Sequence, residues 1–209
     1  MKTGSTIPLS LRIRDGSGSA TFRIDAEPNR TVLDLLERIR SGGDRVPAYR
    51  HSCHHGSCGT CGAVINGLEA LMCLTTAADL ANPRPRLPGG PAVEPERDPD
   101  GAVIVGLEPL RKMSVVSGIA VEPGTVFAGI PRDASYLDHV ENDGRSPLPA
   151  DPDGARVGAL TAAAEAPWRP AGRVRFEACI ECGLCVSSCP VGVPFVGPAA
   201  PAAVNRELR

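Results

Sequence analysis

The sequence predicts an α+β chain, with a β-grasp domain over residues 1–115 and a mainly helical domain over residues 116–209. Three observations lead there. Short apolar strands surround one helical stripe in the first half. Residues 131–172 then turn poor in large apolar side chains and rich in Ala, Pro, Gly and Asp. Finally, all eight cysteines fall into two tight groups, one in each half.

The elements follow in order. Residues 7–13 alternate apolar and polar, the pattern of a half-buried strand. Asp15-Gly16-Ser17-Gly18 reads as a turn, and Thr21-Phe22-Arg23-Ile24 returns as a second strand. Thr31 suits a helix N-cap, with Asp34 adding negative charge in the first turn. Val32, Leu35, Leu36 and Ile39 form the helical stripe, which Gly42-Gly43 ends. A cysteine loop occupies residues 50–62. Ala63-Val64-Ile65 is a short strand, Asn66-Gly67 is a hairpin signal, and the return strand ends near Met72-Cys73. Residues 83–99, rich in Pro, Arg and Glu, are expected to be irregular. Val103-Ile104-Val105 reads as one more strand, and residues 107–110 close the unit. Further on, residues 160–166 suit a short helix, and residues 197–200 open a final one with Pro198 in its first turn.

Composition narrows the function. Apolar residues make up 42% but aromatics only 3%, so small aliphatic residues, Gly and Pro are expected to fill much of the interior. In such a core, bound metal would supply part of the folding free energy. A net charge of −2 with no basic stripe argues against nucleic acid. No apolar run reaches the ~18 residues of a membrane helix. The start, Met1 to Ser5, does not read as a signal peptide. Clustered C-x2-C spacings in a long chain without an export signal favour metal over disulfides, and a reducing cytosolic compartment.

Cys53, Cys58, Cys61 and Cys73 form C-x4-C-x2-C-x11-C. The close C-x4-C-x2-C half is the plant-type [2Fe–2S] arrangement, whose fourth ligand comes from further along. Each iron needs two thiolates, and the loop must wrap an anionic cluster closely. Gly56, Gly59 and Gly62 among the ligands let backbone N–H groups approach the sulfurs. Structural zinc is the rival, but it more often shows two separated C-x2-C knuckles. A Rieske centre would need a His beside Cys73, where Leu74 follows instead. His51, His54 and His55 are therefore expected to be exposed loop residues.

Cys179, Cys182, Cys185 and Cys189 form C-x2-C-x2-C-x3-C-P, the bacterial ferredoxin run, with Pro190 turning the chain away. In two-cluster proteins the fourth cysteine of that run serves a different cluster. Two cubane-type clusters need more ligands than these four cysteines, and residues 204–209 read as the middle of a helix. The domain is thus expected to continue beyond residue 209.

Both motifs, in this order and with the x11 gap before Cys73, resemble the iron–sulfur subunits of succinate dehydrogenase and fumarate reductase. Residues 108–113 (Glu-Pro-Leu-Arg-Lys-Met), 179–185 and 195–200 are similar to segments of that family. The resemblance implies a β-grasp [2Fe–2S] ferredoxin-like domain followed by a mainly helical ferredoxin-like domain, C-terminally incomplete here. It implies Cys53, Cys58, Cys61 and Cys73 as ligands of [2Fe–2S]. Cys179, Cys182 and Cys185 would serve [4Fe–4S], and Cys189 would serve [3Fe–4S]. Family members complete the last two sites with a later cysteine group. The implied role is non-catalytic: single electrons pass between an FAD flavoprotein subunit and quinone at a membrane anchor subunit. The implied location is cytoplasmic, peripheral on the inner face of the cell membrane through partner subunits. The alternatives are a soluble ferredoxin-like carrier, the iron–sulfur subunit of another flavin-linked oxidoreductase, or a zinc protein.

Overall fold

The computed structural model describes residues 5–15, 18–85, 90–126, 179–191 and 198. The sequence-predicted linker over 131–172, the helix over 160–166 and the final helix, Pro198 apart, lie outside these residues. The chain divides into two compact units, residues 1–125 with 180–190, and residues 126–179 with 191–209. Of the second unit, the described residues are Val126, Cys179, Val191 and Pro198.

Alternation of apolar and polar residues builds the first hairpin. β1 (Ile7–Asp15) pairs antiparallel with β2 (Gly18–Ala26), Ile7 opposite Ala26 and Asp15 opposite Gly18. Leu9, Leu11 and Ile13 point inward and are fully buried, while Arg12 and Arg14 face out. α1 (Val32–Ser41) then crosses the sheet. Thr31 caps it in a full capping box: its hydroxyl accepts from the Asp34 N–H at 3.1 Å, and the Asp34 carboxylate accepts from the Thr31 N–H at 3.0 Å. Val32, Leu33, Leu35, Leu36 and Ile39 are its buried face, and Gly42 is its C-cap.

β3 (Gly62–Ile65) and β4 (Leu68–Leu71) form the second hairpin. Asn66 and Gly67 both take positive φ, 49° and 83°, as a two-residue turn twisted with its strands requires. Asn66 also extends the sheet edge: its N–H donates to the Gly106 carbonyl at 2.9 Å, and its Oδ1 accepts from the Gly106 N–H at 2.7 Å. β7 (Val103–Glu108) fills the gap between hairpins, parallel to β1 and antiparallel to β3. The five-stranded sheet has the order β2-β1-β7-β3-β4. One helix across such a mixed sheet is the β-grasp arrangement that the sequence predicted.

Four differences stand out. Large aliphatic side chains fill the core: Leu9, Leu11, Ile13, Leu33, Leu35, Leu36, Met72 and Leu107 are its largest fully buried members. The expected reliance on small residues, Gly and Pro does not hold for this sheet. Whole-chain composition misled because Ala and Pro concentrate after residue 126 while Leu and Ile concentrate before it. The second difference is α2 (Ala77–Ala81), a short helix with a capping box of its own on Thr76 and Asp79. The stretch expected to be irregular holds a third, the two-residue pair β5 (Arg84–Pro85) with β6 (Ala92–Val93). The fourth is a small hairpin, β8 (Val115–Ser117) with β9 (Ala120–Val121), seated against the 46–50 stretch. There the Ile119 N–H donates to the Ala48 carbonyl at 2.8 Å.

Candidate functional site

The strands deliver the first cysteine group. Cys61 sits just before β3 and Cys73 just after β4, and both are buried at 3% and 4% exposure. The hairpin between them holds their spacing: the Met72 N–H donates to the Cys61 carbonyl at 3.1 Å. The start of α1 fixes the other side of Cys73. There the Leu33 N–H donates to the Met72 carbonyl at 3.1 Å and the Val32 N–H to the Thr75 carbonyl at 2.9 Å. The free N–H groups of the helix's first turn are thereby satisfied by the segment that carries Cys73. The x11 gap before Cys73 is thus one tight hairpin plus its flanks.

Cys53 and Cys58 lie in the loop and are half-buried. Backbone N–H groups turn toward their sulfurs: Ser57 and His55 donate to Cys53 Sγ at 3.3 and 3.5 Å, and Cys53 donates to Cys58 Sγ at 3.5 Å. Thr60 Oγ1 is 3.2 Å from Cys58 Sγ. Positive φ at Gly56 (80°), Gly59 (71°) and His54 (61°) produces this inward turn of the N–H groups. Hydrogen bonds from Ser57 and then His55 lower the Cys53 thiol to about 5, making it a thiolate at neutral pH. Burial pushes Cys61 up to about 11. Cys73 and Cys58 lie close enough to act on it electrostatically.

This donor set fits a [2Fe–2S] cluster. Thiols stand in neighbouring pairs, Cys53 with Cys58 and Cys61 with Cys73, as two irons require. Among the described residues, no three His, Cys, Asp or Glu side chains converge as the site of one ion. The inward N–H donors offset the negative charge that such a cluster brings.

The rim departs from expectation at one residue. His54 and His55 are exposed, but His51 is half-buried and sits in a polar chain. Its Nε2 lies 3.2 Å from Glu37 Oε1, and its Nδ1 lies 3.0 Å from His54 Nε2. The Tyr49 hydroxyl donates to the same Glu37 oxygen at 2.6 Å, which holds that carboxyl below the usual range. The chain anchors the cysteine loop to α1. Leu74 lies over Gly56, where a Cβ would come within 2.8 Å of its Cδ1. Ser57, Thr60 and Leu74 escaped the sequence reading. The available signal was position: each lies between two cysteines of the first group or directly beside one.

The second group is built differently. Cys185 is exposed on α3 (Leu184–Ser188), and half-buried Cys189 is the C-cap of that helix. Cys182 is half-buried just before it, and Cys179 is half-buried in the other compact unit. Positive φ at Glu181 (56°) and Gly183 (75°) shapes the turn into α3. Ile180, Cys182 and Leu184 pack against the β-grasp core. Gly59, between Cys58 and Cys61 of the first group, touches this segment: a Cβ there would lie 2.7 Å from Cys182 Cα. Gly62 faces the Cys182 carbonyl and Leu184. The structure therefore brings the first four cysteines together and lays Cys182 against their loop. A groove of about 690 Å³ around Arg12, Arg14, Asn66, Glu69 and Glu94 is lined by none of the cysteines.

Comparison with known proteins agrees with this geometry. Residues 14–128 match the 2Fe-2S iron-sulfur cluster binding domain family, and residues 173–195 match the 4Fe-4S binding domain family. The fumarate reductase iron-sulfur subunit of Mycobacterium tuberculosis is 30% identical over 177 residues, covering 81% of this chain and 56% of that protein. That of Wolinella succinogenes is 25% identical, covering 90% of this chain and 65% of that protein. A rice mitochondrial succinate dehydrogenase [ubiquinone] iron-sulfur subunit is 26% identical, covering 81% of this chain and 45% of that protein. The chain thus spans roughly half to two thirds of the length of these relatives. In fold it is similar to a chain of the Mycobacterium smegmatis Sdh1 complex in the apo form. The TM-score is 0.58 at 21% identity, covering 97% of this chain and 76% of that one. With its 2Fe-2S domain match spanning more than half its length and its cysteine spacing intact, the chain belongs to the succinate dehydrogenase/fumarate reductase iron–sulfur subunit family.

Proposed function

We propose that the chain is the electron-transfer subunit of a succinate dehydrogenase or fumarate reductase complex, relaying single electrons between an FAD flavoprotein subunit and quinone at a membrane anchor. The close contact of Gly59 with Cys182 carries this reading, because it sets the two ligand loops side by side. Bound clusters would supply one-electron redox chemistry, and the protein sets their position and potential. In this reading Cys53, Cys58, Cys61 and Cys73 hold [2Fe–2S]. Cys179, Cys182 and Cys185 hold three irons of [4Fe–4S], and Cys189 serves [3Fe–4S]. The chain contains no substrate site of its own; its residues bind and orient.

Residues 1–115 form the [2Fe–2S] domain in this proposal, and residues 116–209 the domain of the second motif. The location is the inner face of the cell membrane, reached through partner subunits. Among the described residues, no helix is long and apolar enough to cross a membrane. The test is purification from its native source with partners retained. Copurification with a flavoprotein, and succinate-reducible [2Fe–2S] and cubane signals by electron paramagnetic resonance, are the expected results. A chain that copurifies with no flavoprotein, and whose clusters respond to neither succinate nor fumarate, would overturn the proposal.

A further inference from the structure

Glu69 lies on β4, in the hairpin that joins Cys61 to Cys73, yet one of its partners belongs to the loop of the second cysteine group. The Ser187 hydroxyl donates to Glu69 Oε1 at 2.9 Å, across 118 residues of sequence. The Arg111 guanidinium donates to the same oxygen at 3.2 Å, and to the Gly67 carbonyl at 3.2 Å. The Arg111 backbone N–H donates to Ser187 Oγ at 2.8 Å, so the Ser187 hydroxyl both gives and receives. Next in sequence, Lys112 Nζ donates to the carbonyl of Cys189.

The carboxylate of Glu69 is only 8% exposed, and Ser187 is 2% exposed. A nearly buried carboxylate survives only where donors compensate it, and here one donor comes from the cluster loop itself. α3 is one and a half turns long and cannot stabilise itself. Its position must come from such contacts.

We propose that Glu69 is a positioning residue: through Ser187 and Arg111 it latches the 180–190 ligand loop to the hairpin that carries Cys61 and Cys73. The latch fixes the gap that an electron crosses between the two ligand loops. This deepens the electron-transfer reading and rests on it for its purpose, though the latch itself is a matter of structure.

The test uses the full chain in its purified complex, comparing Glu69→Ala, Ser187→Ala and the conservative Glu69→Gln. The control is Glu108→Gln, at an exposed pair with Arg14. Hydrogen exchange reads the amides of Val186 and Ser187, which donate to the Gly183 carbonyl, and the amide of Arg111. Losing a charge-assisted hydrogen bond is expected to speed their exchange about 10- to 100-fold in Glu69→Ala. Glu69→Gln, which keeps an acceptor for Ser187, should restore much of the protection. Electron paramagnetic resonance reads the spin coupling between the reduced [2Fe–2S] cluster and its neighbour. That coupling should weaken in Glu69→Ala and Ser187→Ala while the [2Fe–2S] content and potential stay at wild-type values.

Unchanged exchange and coupling in both alanine variants would overturn the latch. So would loss of [2Fe–2S] content in step with faster exchange, which would mean general loosening of the domain. If Glu69→Ala does not fold, Ser187→Ala carries the same readouts. If the unsubstituted chain shows no second cluster, the electron-transfer reading fails, and exchange alone still decides the latch.

Discussion

The two cysteine groups are held by opposite strategies. Cys61 and Cys73 are embedded in the sheet's own core, and their neighbours are Ala63, Leu71 and Met72, all buried. Cys182, Cys185 and Cys189 sit on or beside a five-residue helix that leans on that sheet, with Cys185 exposed. The first site is thus as stable as the domain that contains it. The second depends on docking, with Gly59 beneath it and Glu69 beside it. Hydrophobic burial is contiguous in the first case and borrowed in the second.

The largest test of this contrast exchanges single cysteines. Cys73→Ser should abolish the [2Fe–2S] absorption and lower the thermal midpoint of the whole domain. Cys185→Ser should leave [2Fe–2S] content and that midpoint unchanged. Visible absorption with calorimetry separates the two, and equal losses would refute the contrast.

Core truncation comes next. Leu107, fully buried on β7, should cost about 2–5 kcal/mol as Leu107→Ala. Val116, which is exposed, should cost under ~0.5 kcal/mol as Val116→Ala. Urea denaturation, followed at the [2Fe–2S] absorption, measures both.

The glycines sharpen the docking side. Gly59 and Gly67 both hold positive φ, at 71° and 83°. Gly67 has open space where a Cβ would stand, so Gly67→Ala should cost only the backbone strain, about 1–2 kcal/mol. Gly59→Ala adds a clash with Cys182 backbone, which the ~1–3 kcal/mol scale of overpacking describes. It should also speed exchange in 180–190, which Gly67→Ala should not.

The smallest effects concern the scaffold of the first loop. Thr31→Ala removes the α1 cap and should cost about 1 kcal/mol. Tyr49→Phe removes the hydroxyl that lowers the Glu37 carboxyl, at about 0.5–1.5 kcal/mol near neutral pH. A carboxyl held below its ordinary 4.5 contributes stability above that pH, and the contribution disappears as pH falls through the lowered value. The gap between wild type and Tyr49→Phe should therefore close in acid, as stability curves against pH would show.

Much of the first region was legible because its determinants are local. Thr31 and Asp34 are three residues apart, Asn66-Gly67 is a dipeptide, and the alternation through Leu9, Leu11 and Ile13 fits one strand. α2 was missed because its signal is short: Thr76 and Asp79 cap a helix of only five residues. His51 was misjudged because its partner, Glu37, lies on a helix that passes the loop only in three dimensions.

By itself the sequence determined the cysteine pattern of the first site, the hairpin that spaces it and the family to which the chain belongs. Thiolate spacing, turn chemistry and apolar period are all written within a few residues of one another. Only the tertiary structure decided that the second cysteine loop rests on Gly59 and is pinned by Glu69 through Ser187. Those contacts join residues more than a hundred positions apart, and they exist only because one packed sheet offers a surface on which a short helix can settle.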